Sequence, residues 1–432
     1  MSGPSAIPPV SGAEFPAQTL RAQFPALQRA GSFIFFDNAA GAQVPQGVLD
    51  AVTAHLLEHN VQRGGRYAQS VAVDAAIQRA REKVAALLNA RRPEEIAFGM
   101  NATSFIRLVS LAIGQTLGER SEIIVTDLDH EANVATWLAL APVGASFRWW
   151  RMRDDGRLNC EDLEPLLGPR TRLLACTIAS NALGSLVDVR RAAELVHSAG
   201  GEIFLDAVHY APHGSIDVQA LECDYRVCSG YKIFAPHRGF LWGRYELLSA
   251  LPTFREEFIP DEPPGKIEAG TFIYENVSGM AAAVDYLAEL GRWLRGTGIV
   301  SGGSGTRTLR EDCQAAMNGI HAYEQGLSLE LLRVLRDAGA TIYGVSDAAQ
   351  LTQRVPTVCF NLPGIAPAAV TEAAAGAGIG IRDGHMYAPR LMKRLGLAVE
   401  SGAVRASLAH YNTPAEIHHF GEVLARLHRS RR

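Results

Sequence analysis

The chain has 432 residues, with 41 basic and 45 acidic side chains and a formal net charge of −4. A composition of 47% hydrophobic and 20% charged residues is that of a globular protein with a large core, so long-range disorder is excluded. The balanced charge gives no electrostatic reason to expect nucleic acid or an anionic membrane as a partner.

Two further patterns bear on the compartment. No stretch of about 20 residues stays apolar, as a membrane span would require, and the first ten residues lack the basic start and apolar run of a secretory signal. The six cysteines form no CxxC pair, so neither a disulfide framework nor a zinc ribbon is expected. These patterns predict a cytoplasmic protein.

Short apolar strands alternate with helices along the chain. In chain order, the sequence predicts a helix at 17–30, a strand at 32–36, helices at 48–58 and 71–88, a strand at 96–98, a helix up to 117, strands at 121–126, 147–152, 171–178, 202–205, 225–229 and 238–242 with helices at 133–140, 161–167 and 190–199 between them, helices at 278–294 and 309–335, strands at 340–343 and 357–361, and helices at 367–377 and from 414. This alternation predicts an α/β fold with a mostly parallel sheet between two layers of helices.

Four segments follow from the pattern. We expect an N-terminal arm and helix at 1–30, packed with the small domain, and a large domain at 31–295. A Gly/Ser-rich linker or loop at 296–307 precedes a smaller α+β domain at 308–432.

Three common binding motifs are absent or weak here. No GxGxxG pattern lies at a strand-to-helix junction, and Gly265-Lys266 lacks the first glycine and the hydroxyl residue of a phosphate-binding loop. His55, Glu58 and His59 match the HxxEH pattern of some zinc peptidases. A five-residue match equally describes a polar helix face, so we expect no metal site.

The segment from 202 to 243 carries the strongest chemical signal. Asp206 ends a predicted strand, at the edge where open α/β sheets place their ligands. Lys232 lies in a Gly-containing turn after the next strand, and such a lysine can form a Schiff base when desolvation frees its amine. Together they are what pyridoxal phosphate requires, a lysine for the aldehyde and an acid for the pyridinium nitrogen. Taken alone, the pair would equally fit a surface lysine and a helix-capping aspartate.

Two neighbouring segments strengthen this interpretation. Residues 101–104, with Thr103 among them, precede a predicted helix and can present N–H groups and hydroxyls to a phosphate. His130 follows another strand, so its flat ring is expected at the same sheet edge, where it can stack on a pyridine.

The sequence resembles fold-type I pyridoxal phosphate enzymes of the class V aminotransferase group, specifically the branch of cysteine desulfurases and selenocysteine lyases. The segments that carry the resemblance are FDNAA at 36–40, NVQRGG at 60–65, DHEANV at 129–134, SNALG at 180–184, DAVH at 206–209, SGYK at 229–232, EAGT at 268–271 and VRASLAHYNT at 404–413. They extend over nearly the whole chain.

The resemblance implies a role for each matching residue in the cofactor site. Lys232 binds the cofactor aldehyde and later moves the Cα proton, Asp206 keeps the pyridinium nitrogen protonated, and His130 stacks on the ring. The other implied cofactor ligands are Asn181 at the phenolic oxygen, Ala102, Thr103 and Ser229 at the phosphate, His209 at the ring and phosphate edge, and Gly270 and Thr271 supplied by a neighbouring subunit. The last pair implies a homodimer with shared active sites.

The resemblance also implies where an amino-acid substrate binds. Arg405 matches the arginine that grips the α-carboxylate, a task suited to a bidentate guanidinium. Asn38 and Ala39 are expected to line the same pocket, and His385 and Tyr387 belong to the loop where desulfurases carry their nucleophile.

That loop departs from the pattern of the branch. The desulfurase loop reads roughly RxGHHCA, whereas residues 382–388 read RDGHMYA, with Tyr387 in the place of the cysteine. A phenol cannot accept sulfur as a persulfide, so the chain resembles the "cysteine desulfurase-like" subgroup. Ala102 in place of a threonine and Tyr231 in place of a histidine are further departures.

Three functions follow from these implications. The first is a pyridoxal-phosphate-dependent carbon–sulfur lyase that acts on a small L-amino acid by Cα deprotonation and β-elimination. The second is an aminotransferase or epimerase on the same scaffold. The third is a catalytically silent partner in sulfur relay, and a sulfur-accepting protein is an open question in each case.

Overall fold

The apolar segments form two main sheets in the computed structural model, which describes residues 15–300 and 307–429. The strands are β1 (Ile34–Phe35), β2 (Ile96–Gly99), β3 (Glu122–Thr126), β4 (Ser146–Trp150), β5 (Thr171–Thr177), β6 (Glu202–Asp206), β7 (Tyr225–Ser229), β8 (Gly239–Gly243), β9 (Thr341–Tyr343), β10 (Thr357–Asn361), β11 (Ile379–Gly380), β12 (Arg382–Gly384) and β13 (Ala403–Ser407). The helices are α1 (Ala17–Arg21), α2 (Pro25–Arg29), α3 (Gln46–His59), α4 (Ala68–Leu88), α5 (Ala102–Gly114), α6 (Ala132–Leu138), α7 (Cys160–Leu163), α8 (Val189–Ser198), α9 (Val218–Leu221), α10 (Tyr245–Ala250), α11 (Tyr274–Gly296), α12 (Leu309–Asp337), α13 (Pro367–Gly376), α14 (Pro389–Arg394) and α15 (Pro414–Arg429).

The large sheet has seven strands in the order β2-β8-β7-β6-β5-β3-β4. The pairs from β4 to β7 are parallel, and β8 is antiparallel to both of its neighbours. Helices cover both faces: Ile124 packs into a core with α4, α8 and α11, while Ile123 and Val125 pack into a second core with α5 and α6. This two-sided burial explains why the strands read as continuous apolar runs. The predicted fold class, an α/β protein with a mostly parallel sheet between helices, is confirmed.

The second sheet is antiparallel and lies in the C-terminal part of the chain. Its order is β12-β13-β10-β9, and α12, α13 and α15 pack around it. The N-terminal strand β1 pairs in parallel with β11, and Ile34 and Phe36 are buried in the same core as these elements. The residue bounds of the expected domains stay predictions. The expected arm at 1–14 and part of the expected linker lie outside the described residues.

The predicted secondary structure is wrong in several places, and the short helices α9, α10 and α14 were not predicted. The single helix at 17–30 is interrupted, because Phe24 takes an extended conformation before Pro25, as residues before proline prefer. The strands β11, β12 and β13 were not predicted: the first two have only two and three residues, and β13 is buried along its whole length, without the alternation that marks a strand. Among the described residues, no helix has the length and apolar character needed to cross a bilayer.

Candidate active site

A cavity of about 360 Å³ opens at the carboxyl ends of the central strands of the large sheet. Its lining residues are Ala39, Ala40, Ala102, Thr103, Ile106, His130, Ala132, Thr177, Asn181, Asp206, Val208, His209, Ser229, Tyr231, Lys232, Arg382, Tyr387 and Arg405. The structure therefore brings together side chains that are up to 366 positions apart in the chain, between Ala39 and Arg405.

The floor of the cavity is formed by Asp206 and Lys232. Asp206 is the last residue of β6, and its Oδ1 accepts a hydrogen bond from the backbone N–H of Val208 at 2.9 Å. Burial raises the pKa of Asp206 to about 6. Lys232 ends a short 3₁₀ turn directly after β7, and its Nζ donates to the carbonyl oxygen of Ala39. Burial, followed by the positive charge of Arg405, lowers the pKa of Lys232 to about 7, so a neutral amine is accessible near neutral pH.

Lys232 is one of four lysines in the chain, with Lys83, Lys266 and Lys393. Lys83 pairs with Asp285, and the Nζ of Lys266 donates to the carbonyl oxygen of Ser249. None of these three lines the cavity. An aldehyde in the cavity thus has a single lysine partner.

The start of α5 forms one end of the cavity. Asn101 caps this helix and accepts from the N–H of Ser104, while the N–H of Ala102 donates to Ser229 Oγ at 3.1 Å. The neighbouring strand β8 passes directly beneath this cap. A Cβ on Gly239 would lie 2.6 Å from the backbone of Asn101, so only glycine fits there. N–H groups and hydroxyls at a helix N-terminus suit an anionic group such as phosphate.

Two imidazoles stand on the cavity wall. The Nδ1 of His130 accepts from the N–H of Ala132 at 3.1 Å, and burial lowers the pKa of His130 to about 4. The Nε2 of His209 lies 3.0 Å from Thr357 Oγ1, and burial lowers the pKa of His209 well below its ordinary value. Both rings are therefore neutral at pH 7. A neutral, flat His130 ring suits stacking rather than charge pairing.

One hydrogen-bonding group of the Asn181 side chain, its Oδ1, is unpaired among the described residues. Its Nδ2 donates to the carbonyl oxygen of Met386 at 2.7 Å, whereas its Oδ1 is buried and has no partner among the described residues. An unpaired buried acceptor carries a free-energy cost that a bound donor would remove.

Arg405 lies on β13, and its side chain is almost fully buried. Its Nη2 donates to Asp37 Oδ1 at 2.9 Å and its Nη1 to the carbonyl oxygen of Asn181 at 2.8 Å, while its Nε has no partner among the described residues. Arg382 holds the other oxygen of Asp37 at 2.9 Å. Two guanidinium groups thus share one carboxylate, which leaves one net positive charge for a substrate carboxylate.

Asp37 and Arg382 were not predicted as site residues. Asp37 lay inside a segment that carried the resemblance and Arg382 in the loop that departs from it, but nothing in the sequence linked positions 345 residues apart. Asp129 was missed as well. It accepts from Thr126 Oγ1, from Asn133 Nδ2 and from the N–H of Thr177, and burial raises the pKa of Asp129 to about 7. It supports the cavity wall from behind, and its place in the segment DHEANV at 129–134, next to His130, was the signal that could have identified it.

Some expected site residues lie elsewhere. Ala39 lines the cavity, but the side chain of Asn38 points to the interior, where its Nδ2 donates to Ser407 O at 2.9 Å. Gly270 and Thr271 are exposed and do not line the cavity of their own chain, and Thr271 Oγ1 accepts from Gln62.

The loop after β12 forms the mouth of the cavity. Met386 and Tyr387 both take left-handed backbone conformations, with φ of 51° and 57°. The side chain of Tyr387 lines the cavity with 56% of the residue exposed, and its ring centroid lies 5.7 Å from that of His130. His385 does not line the cavity, and its Nδ1 accepts from the N–H of Tyr387. Consecutive non-glycine residues in the left-handed region are energetically unfavourable, and such residues are most frequent at functional sites.

Two other candidate chemistries find little support. None of the six cysteines lines the cavity, and five of them are buried. The Nδ1 of His55 lies 2.8 Å from Ser278 Oγ, and the described residues contain no group of three or more potential metal ligands.

The residues of the cavity fit pyridoxal phosphate. Lys232 matches the aldehyde and Asp206 the pyridine nitrogen, while the start of α5 matches the phosphate. The unpaired Oδ1 of Asn181 and the neutral ring of His130 are available for a further polar contact and a stacking contact.

Comparison with known proteins places the chain in a family. The family model described as Aminotransferase class-V matches residues 34–293 and 294–420. The Aminotransferase-like protein FGM3 of Gibberella zeae is 33% identical over 420 residues, which cover 94% of this chain and 97% of that protein. A probable cysteine desulfurase of Synechocystis sp. is 33% identical over 422 residues, which cover 93% of each chain.

Solved structures of two cysteine desulfurases have the same fold as this chain. A cysteine desulfurase from Thermococcus onnurineus superposes with a TM-score of 0.84 at 25% identity, covering 98% of this chain and 100% of that one. The cysteine desulfurase CsdA from Escherichia coli superposes with a TM-score of 0.78 at 28% identity, covering 96% and 98%. The chain therefore belongs to the class V aminotransferase family and is a pyridoxal-phosphate-dependent enzyme of fold type I.

Proposed function

We propose that the protein is a cysteine desulfurase-like carbon–sulfur lyase that acts on a small L-amino acid by β-elimination. One observation carries the proposal: the cavity holds a lysine poised as a base, while the loop at its mouth presents Tyr387 and no cysteine. The names of the Synechocystis and Thermococcus relatives support a sulfur amino acid as substrate.

Different residues hold the α-carboxylate of the substrate and the ring of the cofactor. Pyridoxal phosphate supplies an electron sink for the bond broken at Cα. Arg405 binds the α-carboxylate through a guanidinium that Asp37 and Asn181 already orient, so little side-chain entropy is lost on binding. His130 covers one face of the ring site, and Asp206 holds a proton at the pyridine nitrogen.

Lys232 moves the proton. Because burial lowers its pKa to about 7, its neutral Nζ can accept the Cα proton near neutral pH and return it elsewhere. The Cβ–S bond then breaks, and sulfur leaves with the electron pair and takes a proton. With cysteine as substrate, one water is consumed and the products are sulfide, pyruvate and ammonia. No persulfide on the protein is needed, which suits a cavity without cysteine.

We also propose the remaining ligand roles and a shared site. Ala102, Thr103, Ser229 and His209 hold the phosphate end, and Asn181 forms a hydrogen bond with the phenolic oxygen. The exposed Gly270–Thr271 segment serves the cavity of a second copy, which makes the protein a homodimer with shared active sites.

A second candidate function is transamination. It is favoured by the name of the Gibberella relative, an aminotransferase-like protein that matches 94% of this chain. The two reactions share Lys232 as the base: elimination breaks the Cβ–S bond, whereas transamination keeps that bond and returns the proton to a different carbon.

The experiment that separates them is incubation of the holoenzyme with L-cysteine and S-substituted cysteines. Elimination predicts equimolar pyruvate, ammonia and sulfide or thiol over many turnovers. Accumulation of pyridoxamine phosphate, reversed by a 2-oxo acid, would establish transamination instead. Release of alanine with protein-bound sulfur would establish persulfide chemistry, and no turnover of any amino acid would leave the silent-partner function.

A further inference from the structure

A buried histidine–carboxylate pair lies behind the cavity wall. His213 and Glu324 of α12 are 2% and 1% exposed, and His213 Nδ1 lies 2.8 Å from Glu324 Oε2. The other oxygen of Glu324 is buried and has no partner among the described residues. Neither residue lines the cavity, and neither takes part in the proposed reaction.

The chain places this pair next to His209. A tight turn follows β6, in which the N–H of Ala211 donates to the carbonyl oxygen of Ala207 at 2.9 Å. His209 and His213 are four positions apart along this turn, and their ring centroids lie 5.4 Å apart with the planes at 71°. This is an edge-to-face contact between two rings. His209 therefore lines the cavity and also packs against the buried pair.

Helix α12 contacts the turn at two points. Glu324 holds the side chain of His213, and His321 Nδ1 lies 3.3 Å from the carbonyl oxygen of His213. Residues three positions apart share one face of a helix. Glu324 lies where α12 passes from the core of the large sheet, which includes Ile320, to the core of the second sheet, which includes Leu327. The orientation of His213 is thus fixed by α12.

A second contact fixes the other side of the His209 ring. Its Nε2 lies 3.0 Å from the Oγ1 of Thr357, the first residue of β10. The imidazole is therefore supported by a hydroxyl at one nitrogen and by His213 against the ring. Without Glu324, His213 would lose the hydrogen bond that sets its orientation, and His209 would keep only the support of Thr357. A binding residue is held precisely when its own contacts lock its side chain.

Stability alone does not account for the pair. Taking a carboxylate and an imidazole out of water costs about as much free energy as their attraction returns, and apolar side chains of similar volume often stabilise a core as well or better. Burial raises the pKa of Glu324, and its contact with His213 opposes this rise. A pair of this kind directly behind a residue that lines the cavity indicates a role in orientation.

We propose that Glu324, acting through His213, is a positioning residue that holds the His209 ring in the orientation in which it contacts the bound cofactor. The inference rests on the ligand role proposed for His209. It does not depend on the choice between elimination and transamination, because both reactions require the bound cofactor.

Cofactor affinity of the apoprotein provides the first test. Glu324→Leu removes the hydrogen bond to His213 and should raise the Kd of pyridoxal phosphate by about 3- to 10-fold, as followed by absorbance titration. The Tm of the apoprotein should stay unchanged or rise, because an apolar side chain replaces a buried carboxylate. Glu324→Gln keeps a hydrogen-bond partner for His213 and should restore most of the affinity. Glu324→Met replaces the leucine variant if that one does not fold. An unchanged Kd would overturn the inference.

A matched control lies on the same helix. Asp312 is buried near the start of α12 and pairs with Arg292 at 2.9 Å, and it does not line the cavity. Asp312→Asn should lower the Tm and leave the Kd of the cofactor unchanged. A rise in Kd equal to that of Glu324→Leu would mean that any disturbance of α12 weakens cofactor binding, which would overturn a specific role of Glu324.

The decisive test is the coupling between Glu324 and His209. In a His209→Ala background, Glu324→Leu should have no further effect on the Kd, because the ring that it positions is absent. The same fold-increase in both backgrounds would overturn the inference and leave the ligand role of His209 intact. A His209→Ala variant that binds the cofactor as tightly as the unaltered protein would refute that ligand role together with the inference.

Discussion

The floor and the mouth of the cavity are built differently. The floor consists of Asp206, which ends β6, and Lys232, which lies in the turn directly after β7, and these two buried strands are adjacent in the large sheet. The mouth consists of Arg382 and Tyr387, on a short strand and loop of the second sheet, with Tyr387 more than half exposed. We propose that the floor provides the cofactor chemistry and that the mouth selects the substrate and the reaction.

The largest loss of activity is expected from a change in the floor of the cavity. Lys232→Ala should lower kcat by about a thousandfold or more, because it removes the base that moves the Cα proton. Pyruvate release measured with saturating cofactor gives the value. Lys393→Ala, which changes an exposed lysine outside the cavity, should leave kcat unchanged. Near-normal turnover in the Lys232→Ala variant would contradict the role of Lys232 as the base that moves the Cα proton.

Variants of Arg405 and Arg382 compare how a buried and a partly exposed charge affect substrate binding. Arg405→Ala should raise KM by about 10- to 100-fold with a smaller effect on kcat, since a buried charge-assisted contact to the carboxylate is lost. Arg382→Ala should raise KM only about threefold, because that side chain is 39% exposed and screened by water. Steady-state kinetics measure both. Equal rises in KM would mean that both guanidinium groups contact the substrate carboxylate, and a larger rise in Arg382→Ala would mean that Arg382, not Arg405, binds it.

The pH dependence of cofactor uptake tests the burial of the floor. The neutral amine of Lys232 attacks the aldehyde, and burial disfavours the charged form, so its pKa falls to about 7. The uptake rate of the apoprotein should therefore rise with pH around a midpoint near 7 and level off above it. Stopped-flow absorbance follows the reaction. A midpoint near that of a solvated lysine would show that the floor is open to water.

The smallest change in activity is expected from a change at the mouth of the cavity. Tyr387→Phe should change kcat less than about threefold, because the exposed hydroxyl has no described partner and the ring remains. Tyr387→Ala should mainly alter the ranking of S-substituted substrates in the same pyruvate assay. A hundredfold loss in Tyr387→Phe would instead make the phenol a proton donor to the leaving group.

The floor was largely predictable from the sequence. Asp206 and Lys232 each follow an apolar strand, so their position at one sheet edge is a consequence of parallel topology. The sharing of Asp37 by Arg382 and Arg405 was not predictable, because it depends on the pairing of β12 with β13 and on where β1 enters the second sheet. The interior orientation of Asn38 has the same cause, since its partner is Ser407 on β13.

The most direct test of the central claim is identification of the cofactor lysine. Borohydride reduction of the holoenzyme, followed by peptide mass spectrometry, should place the pyridoxyl phosphate mass on Lys232. A modification on Lys83, Lys266 or Lys393, or no modified lysine at all, would contradict the assignment of this cavity as the active site.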